Sequence, residues 1–527
     1  MKGKTWLIGW LLLVLTGAGV LGMLVYQVDP FFHYHKPNLE AYYYSLDNQR
    51  SQNDGISRHF DYDILITGSS MAENFKTSEA DQIFGGRSVK VVYSGGSYKE
   101  LNDNIENALA ANKDLKTVIR CLDMLRFFDS YDYMRQDLGR FPTYLYDRNP
   151  FNDVEYLLNR DVVFGRAYEM VLESRQPGFE PGITSFDEYS NWQAACVFGM
   201  NAVCPQGIAS ENAEQLHLTE ADRETIRENI ERNVTETADR YPNVDFYYFY
   251  SPYSVVAWGN WKAQGTLYRY LEAEAYITEL IVPHKNIHLF SFNGRTDITT
   301  DLNQYKDQYH YGEWINTLIL KWIHDGTDRL SEENYTERLQ REAQFYTGFD
   351  YSSLLGQEDY EADTYMAALM NAELTGAEPL DVLNDAGLQV SLNGAEPMPE
   401  DGRTAGVTCS GVLARNAEAD DPAAFIREQE TVGLRFEADL DPGYRYLSFY
   451  GQQTGGDGRP TVYVYDENGQ LCASLETDLS ELDTGLHQYV LDLAPCKGKV
   501  LVVLYGGALE QAGSPDSGFQ FREIFLY

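Results

Sequence analysis

The hydrophobic pattern of the chain changes three times from its N-terminus to its C-terminus. Residues Trp6–Tyr26 are 21 consecutive uncharged positions, which matches the ~20 residues of a membrane-spanning helix. From about residue 60 short apolar runs alternate with amphipathic segments, and after about residue 385 the apolar positions recur with a period of two. This pattern predicts four parts: an anchor over 1–27, an α/β domain over 28–326, a helical and acidic linker over 327–384, and an antiparallel β-sandwich of jelly-roll type over 385–527.

The α/β domain is predicted from five short apolar runs with helical segments between them. These runs cover residues 64–66, 89–93, 117–119, 246–249 and 287–290. Fully apolar strands that alternate with helices are typical of a parallel sheet covered on both faces. Ligands bind such sheets at the carboxyl ends of the strands. Ser70 and the pair Gly95-Gly96 fall at two of these ends.

A long segment, 128–218, interrupts this rhythm. It is rich in Tyr, Asp and Asn and contains Trp192 and the closely spaced Cys196 and Cys204. An insertion between core elements commonly forms a rim around a pocket. We expect substrate-specificity structure here, with simple packing as the alternative.

The charge and the N-terminus bear on location. A formal net charge of −39 argues against nucleic acid as a partner and against docking onto anionic lipid by surface charge. Two roles of this negative charge are consistent with the sequence: solubility, and the attraction of cationic glycans or divalent ions.

Lys2 and Lys4 precede the apolar stretch, so the positive-inside rule predicts a cytoplasmic N-terminus and a single-pass protein with extracytoplasmic domains. A cleaved signal peptide is the alternative, but the apolar run continues through Val25, which favours an uncleaved anchor.

Two short segments contain the residues with the clearest chemistry. Residues 64–71 read ILITGSSM and predict a buried strand that ends at a glycine and presents a serine, and residues 307–310 read DQYH just ahead of a predicted helix. A serine hydroxyl is a poor nucleophile until a base takes its proton, and the base needs a third group to orient it. Ser70, His310 and Asp307 are therefore the predicted catalytic residues.

Together with Gly95-Gly96 after the second strand, this order of motifs resembles the SGNH (GDSL-like) hydrolase superfamily. The stretches 305–311 and 29–32 are similar to a branch of membrane-anchored cell-surface proteins related to the teichoic acid D-alanylation protein DltD and to alginate acetylation proteins. The resemblance covers about residues 28–325 and implies an SGNH-type parallel sheet flanked by helices. The two-domain plan resembles that of alginate acetylation proteins, whose second domain is a carbohydrate-binding module.

The resemblance also implies roles for individual residues. Ser70 would be the nucleophile, His310 the general base and Asp307 the group that orients it. The backbone N–H groups of Ser70 and of Gly96 or Gly95 would form the oxyanion hole. Ser69 stands where the superfamily has an acidic residue and would stabilise the turn.

The chain departs from the superfamily at the third strand end. The superfamily has Gly-x-Asn-Asp there, whereas residues 120–124 read RCLDM, so the oxyanion site lacks one donor. Asn74 is a candidate replacement, with capping of a helical turn as the alternative. Trp258 and Trp261 are candidates for stacking on a sugar ring or for simple packing.

The sequence thus predicts a serine esterase or O-acyltransferase that acts on a cell-envelope polysaccharide through an acyl-serine intermediate. The resemblance implies a partner of the membrane-bound O-acyltransferase type, with a cell-surface glycan or teichoic acid as substrate. A non-catalytic glycan-binding scaffold and a DltD-like role in D-alanylation are the alternatives. No cofactor is expected, and no Cys/His cluster has zinc spacing, so no metal is expected either.

Overall fold

The computed structural model describes residues 2–193, 196–204, 213–354, 380–393, 395–400, 403–410, 426–427, 433–440, 444, 446–476, 487–493, 495–507 and 517–526. The chain divides into two compact units, residues 1–358 and 359–527.

A six-stranded sheet forms the centre of the first unit. The strands are β1 (Ile64–Gly68), β2 (Ser88–Val92), β3 (Thr117–Cys121), β4 (Asp245–Tyr250), β5 (Ile287–Ser291) and β6 (Arg329–Leu330). Their spatial order is β2-β1-β3-β4-β5-β6, with the first five strands parallel and β6 antiparallel at the edge. This order reverses direction between β1 and β3, which places a crevice at their carboxyl ends. The predicted parallel sheet is therefore present.

Nine helices of eight or more residues are described. They are α1 (Lys2–Val28), α2 (Gln49–His59), α3 (Thr77–Phe84), α4 (Tyr98–Ala111), α5 (Glu220–Ile230), α6 (Val255–Ala263), α7 (Leu267–Ile281), α8 (Glu313–Asp325) and α9 (Tyr335–Gly348). Local sequence explains several ends: Ser97 and Glu100 form a capping box at the start of α4, and α8 ends at Gly326 with φ 72°. Thr219, the predicted N-cap of α5, accepts a hydrogen bond from the backbone of Asp222, so this prediction is confirmed.

Helix α1 has the length and composition of a membrane span. Within Gly3–Val28, an 18-residue window has a mean hydropathy of 2.2, and little of that window is buried by the rest of the protein. A possible anchor or signal sequence is therefore present at the N-terminus, as the sequence indicates.

Short helical pieces and turns fill the predicted insertion and the sheet edges. A pair of two-residue strands, Tyr43–Tyr44 and Gly182–Ile183, joins the insertion to the segment after α1. The other short pieces are Ser70–Ala72, Met124–Arg126, Thr143–Leu145, Val154–Leu157, Arg160–Val162, Val163–Ala167, Tyr168–Glu173, Met200–Val203, Glu231–Thr235, Glu236–Arg240, Thr296–Thr299, Leu302–Gln304 and Tyr351–Leu354.

The predicted linker begins inside the first unit. Helix α9, predicted from Ser331 to Phe345, packs on α6 through Tyr346, whose ring stacks on Trp258 with centroids 4.1 Å apart. Residues 355–379 of the predicted linker lie outside the described part of the chain.

Two antiparallel sheets with one shared hydrophobic core make up the second unit. The strands are β7 (Leu380–Asp381), β8 (Val390–Ser391), β9 (Glu396–Glu400), β10 (Arg403–Ser410), β11 (Leu434–Asp439), β12 (Tyr446–Gly455), β13 (Thr461–Asp466), β14 (Leu471–Glu476), β15 (His487–Asp492), β16 (Lys499–Tyr505) and β17 (Gly518–Leu526). The first sheet has the order β8-β11-β16-β13-β14, and the second has the order β9-β10-β17-β12-β15 with β7 paired to β17. The jelly-roll assignment itself stays a prediction.

A disulfide joins Cys472 to Cys496 in the second unit. In the first unit, no disulfide joins Cys196 to Cys204.

Candidate active site

The turn after β1 presents Ser70. The turn needs a glycine at position 68, because a Cβ there would lie 2.7 Å from the Cβ of Ala72 and 3.0 Å from that of Cys121. Ser69 precedes a single 3₁₀ turn that begins at Ser70, and the Ser70 side chain is partly exposed. The strand thus ends with a sharp turn that leaves a serine hydroxyl accessible at the carboxyl edge of the sheet.

A buried lysine supports the chain after this turn. Lys90 on β2 is fully buried, and its Nζ donates to the backbone oxygens of Glu73 and Phe75 at 2.5 and 2.8 Å. Burial lowers the pKa of Lys90 to about 7, because a charged ammonium is disfavoured away from water. Lys90 therefore links the second strand to the segment that follows the candidate nucleophile.

An aspartate at the end of β3 binds the other serine of the pair. Ser69 Oγ donates to Asp123 Oδ2 at 2.7 Å, and the hydroxyl of buried Tyr253 donates to Asp123 Oδ1. The backbone N–H of Leu125 also donates to Oδ1, at 3.0 Å. Ser69 does stabilise the turn, but the acidic group comes from the neighbouring strand. The available sequence signal for this residue was its place four positions after the third apolar run, just past the strand end.

Asp307 and His310 lie on a short loop closed by its own backbone. Tyr305 and Tyr311 form an antiparallel bridge, and the N–H of Lys306 donates to the oxygen of His310 at 3.0 Å. The loop is fastened to the end of β4, because Ser254 Oγ donates to the Gln308 backbone oxygen at 2.8 Å. This hydrogen bond helps to hold Asp307 and His310, which follow Ser70 by 237 and 240 residues in the sequence, beside the turn that follows β1.

The structure brings Ser70, His310 and Asp307 into one hydrogen-bonded line. His310 Nε2 lies 2.8 Å from Ser70 Oγ, and His310 Nδ1 lies 2.7 Å from Asp307 Oδ2 and 2.9 Å from Oδ1. These distances are those of direct hydrogen bonds. The imidazole is thus placed between the serine hydroxyl and the carboxylate.

The ionisation state of Asp307 determines which nitrogen of the His310 ring has the proton. Burial alone would raise the pKa of Asp307, but hydrogen bonds from the His310 ring and from the backbone of His310 and Tyr309 lower it below its usual value. An ionised carboxylate only accepts, so the proton of a neutral imidazole sits on Nδ1. Nε2 is then free to accept the proton of the Ser70 hydroxyl, which is the role of a general base.

Of the two predicted oxyanion glycines, Gly96 is not available. Its N–H already donates to the Tyr93 oxygen at 2.7 Å in the turn after β2, so that part of the prediction needs correction. Gly95 has φ 56°, and the guanidinium of Arg135 from the insertion packs directly on its Cα. Within the described residues, the N–H groups of Ser70 and Gly95 have no protein acceptor, and these two remain as candidate donors.

Asn74 holds the insertion instead of capping a helix. Its Oδ1 accepts a hydrogen bond from the Trp192 backbone N–H at 3.0 Å, and the side chain is buried. Its Nδ2 has no acceptor in the described part of the protein. The closeness of Asn74 to Ser70 is visible in the sequence, but its hydrogen bond to the insertion depends on the fold.

Trp258 and Trp261 do not face solvent, which corrects their assignment as sugar-stacking candidates. Both are buried, and Trp261 stacks on Tyr270 with centroids 3.9 Å apart, as Trp258 does on Tyr346. Helix α6 lies under α7 and α9, so these ring faces are covered by other aromatic rings. They belong to the core.

The insertion contributes an aromatic residue to the site, Trp192, for which the sequence has no motif. The Trp192 ring meets the His310 ring edge-on with centroids 5.7 Å apart, and Lys306 Nζ lies 3.4 Å from the Trp192 ring centroid. Nearby, Gln193 Oε1 accepts from the backbone N–H of Glu313 at the start of α8, at 2.9 Å. The insertion therefore forms one wall around the imidazole.

Trp192→Ala is expected to lower kcat/KM for an activated ester about fivefold. The exposed cation–π and ring contacts that it removes are worth ~1 kcal/mol. Trp192→Phe keeps a ring against His310 and is expected to retain most of the activity. Steady-state kinetics measure kcat/KM for both variants, and thermal unfolding checks that both are folded. Equal losses of kcat/KM in the two variants would contradict the assigned contact between Trp192 and His310.

Lys90→Met is expected to change the pH dependence of stability. Between about pH 7 and its ordinary pKa of 10.5, Lys90 is protonated in the unfolded chain but increasingly neutral in the folded one. The unfolded state then binds more protons, so the wild type gains stability as the pH rises through this window. Urea unfolding of both proteins across this range should show that the free energy of unfolding of the wild type increases relative to that of Lys90→Met. A constant difference between the two free energies would mean that Lys90 does not titrate in this range.

Comparison with known proteins identifies no family. No family model matches the chain, and no curated protein matches it. Among solved structures, it is similar to a family two carbohydrate esterase from Cellvibrio japonicus at 13% identity, covering 28% of this chain and 32% of the esterase, with a TM-score of 0.17. It is also similar to a carbohydrate-binding module, CpGH89CBM32-4, produced by Clostridium perfringens at 16% identity, covering 28% of this chain and 94% of the module, with a TM-score of 0.15. TM-scores this low establish neither a shared fold nor a shared function.

Proposed function

We propose that this chain is a membrane-anchored serine esterase or O-acyltransferase of the SGNH type, which modifies a cell-envelope or secreted polysaccharide. The observation that supports it most is the hydrogen-bonded line from Ser70 through His310 to Asp307, with the hydroxyl 2.8 Å from Nε2. A serine, a base and an orienting carboxylate in this geometry are suited to acyl transfer. The motifs of the sequence predict the same three residues.

The proposed reaction has two acyl-transfer steps. Ser70 Oγ attacks the acyl carbonyl while its proton passes to His310 Nε2, and the oxyanion that forms is met by the N–H groups of Ser70 and Gly95. The intermediate collapses, and His310 returns the proton to the departing alcohol, which leaves an acyl-serine. Water or a sugar hydroxyl then attacks this ester, with His310 again taking the proton.

Asp307 stabilises the imidazolium that exists in each step. Its carboxylate accepts from Nδ1 and remains ionised, because the hydrogen bonds of the loop hold its pKa below the usual value. Whether water or sugar accepts the acyl group depends on how well water is excluded. Trp192 of the insertion lies against the imidazole and would contribute to controlling this access.

The proposed function includes an extracytoplasmic location, a membrane partner and a polysaccharide ligand. Lys2 and Lys4 in the first turn of α1 favour a cytoplasmic N-terminus, which puts the chain that follows α1 on the extracytoplasmic side, where cell-envelope glycans or teichoic acids are the available acceptors. A membrane-bound O-acyltransferase would supply the acyl group. The second unit would bind the polysaccharide, with its two antiparallel sheets as the binding scaffold.

The test is acylation of the full-length protein in detergent by an activated acetyl ester. Intact-mass and peptide analysis should find one acetyl group on the peptide that contains Ser70. Adding a candidate polysaccharide then distinguishes the two reactions, because acetylated sugar indicates transfer and free acetate alone indicates hydrolysis. If several activated esters leave the protein unmodified while the second unit binds glycan, a non-catalytic scaffold replaces this proposal.

A further inference from the structure

The insertion packs against the end of the candidate membrane helix. Val25 and Val28 of α1 share a buried cluster with residues of the insertion. On the insertion side, this cluster contains Leu145, Tyr156, Val162, Val163 and Ala167, with Leu157, Met170 and Val171 packed at its border. The helical pieces over 154–173 thus lie alongside the last turns of α1.

This contact reaches into the apolar stretch. A Cβ on Gly22 would lie 3.8 Å from the Leu157 Cβ, and Gly22 is four residues before the last uncharged position of the stretch, Tyr26. At 1.5 Å per residue, the 21 uncharged residues span roughly 31 Å, about the thickness of the hydrocarbon core, and Gly22 lies ~6 Å inside that end. An element beside Gly22 is therefore at the depth of the lipid boundary whenever α1 spans a bilayer.

The same pieces expose apolar side chains to solvent. Their exposed fractions run from 41% for Leu172 to 90% for Phe151. Three of them recur at fourfold spacing on the continuous helical run 160–173 and so share one side of it. The exposed set is Phe151, Val154, Leu158, Phe164, Tyr168 and Leu172. A soluble surface rarely concentrates so many large apolar groups in one short segment.

We propose that residues 151–173, called here the interfacial segment, lie in the membrane interface beside α1, with their exposed apolar side chains among the lipid acyl chains. The proposal rests on α1 spanning the membrane and on the contact between the segment and α1. It is independent of the chemistry at Ser70. Lipid is the occupant favoured here, because the segment that exposes these side chains packs against the last turns of α1.

The charges of the interfacial segment determine how deep it lies and what holds it. Glu155, Asp161 and Glu169 are exposed on the same pieces, and Asp161 stands three residues before Phe164 on the same side of the helical run. The segment therefore stays at headgroup level, where these carboxylates reach water, and its apolar side chains are immersed to ~5–10 Å, as in amphipathic interfacial helices. The segment has five acidic and two basic residues. Anionic lipid therefore does not attract it, and apolar burial is the driving force.

The consequence is a second attachment to the membrane. One span alone allows an extracytoplasmic unit to tilt and rotate, whereas a span with an adjacent interfacial segment fixes its orientation. The insertion that contains this segment also supplies Trp192 beside His310. The same inserted chain thus contacts both the bilayer and the wall of the candidate site.

Depth-dependent quenching in lipid nanodiscs tests this inference on the full chain. In a Cys196→Ser background, which removes a partly exposed thiol, an environment-sensitive fluorophore is attached to Phe164→Cys or Leu172→Cys. Matched controls carry it at Leu216→Cys or Leu471→Cys, two exposed leucines outside the segment. The nanodiscs contain neutral phosphatidylcholine with a nitroxide on the acyl chain, and iodide serves as the aqueous quencher.

We expect the acyl-chain nitroxide to quench the two segment positions at least about twofold more than the controls, with iodide showing the reverse order. Replacing part of the lipid with phosphatidylglycerol should not increase the quenching. Equal quenching at segment and control positions overturns the proposal. Protection from both quenchers also overturns it, since it would mean that another protein surface covers the segment.

Discussion

Ser70→Ala is expected to abolish acyl transfer, with a loss of at least about 10⁴-fold in kcat and no acetyl adduct on the protein. Alanine removes the oxygen that forms the new ester bond, and no other hydroxyl lies within hydrogen-bond distance of His310 Nε2 in the described residues. Stopped-flow release of the alcohol from an activated ester, combined with intact mass, measures both the rate and the adduct.

Ser69→Ala is the matched control for this prediction. Ser69 is the adjacent serine, but its hydroxyl donates to Asp123 and not to the imidazole. This variant is expected to form the adduct, with a loss of ~1 kcal/mol in stability for the hydrogen bond it removes. An adduct that survives Ser70→Ala but disappears in Ser69→Ala would mean that the nucleophile has been assigned to the wrong serine.

His310→Ala should cost about as much as Ser70→Ala, because the two residues act in one step. The double variant is then expected to be no slower than either single variant, since effects within a catalytic unit are not additive. Multiplicative losses would instead indicate that His310 does not act on the Ser70 proton. Circular dichroism and thermal unfolding check that the loop over 305–311 still folds.

Asp307→Asn is expected to lower kcat by ~10³–10⁴-fold while leaving the geometry nearly intact. The amide has the shape of the carboxylate, but it donates as well as accepts and has no charge to stabilise the imidazolium. His310 can then place its proton on Nε2, where it blocks transfer from Ser70. Single-turnover acylation rates measure the loss, and substrate binding is expected to change little, because Asp307 contacts His310 and its own loop.

The pH dependence provides a second measurement for Asp307. Its folded pKa is lowered from 3.8, so the ionised loop adds stability above the unfolded pKa and loses it as the pH falls through the folded one. The wild type should therefore lose stability relative to Asp307→Asn only below about pH 4. A difference that develops near neutral pH would contradict the assignment of Asp307 as an ionised partner at all physiological pH values.

Local patterns in the sequence were sufficient for the five parallel strands, several helix ends and the three central site residues. The apolar run before Gly68 and the cap at Thr219 depend on neighbours a few positions away, which is why they are visible without coordinates. Ser70, Asp307 and His310 were identifiable because each belongs to a short motif at the end of an element. Their contact was an inference from the rule that strand ends share one edge of a parallel sheet.

Other assignments depended on residues far apart in the chain. Trp258 and Trp261 follow a strand end, as ligand-binding residues do, but α7 and α9 cover them, and no pattern near residue 260 reveals that cover. The N–H of Gly96 is satisfied within its own turn, which depends on the backbone conformation. Asp123 reaches Ser69 only because β1 and β3 are neighbours in the sheet.

The sequence by itself determined that this protein has an apolar N-terminal helix, a parallel sheet with helices, a β-rich C-terminal unit and a serine, histidine and aspartate suited to one reaction. Only the tertiary structure decided which aspartate binds Ser69, which of the two glycines donates its N–H within its own turn, and that the insertion packs on both α1 and His310. The physical reason is that hydrophobic periodicity and capping are local properties. Burial and hydrogen-bond partners are instead set by segments that meet only after the chain has folded.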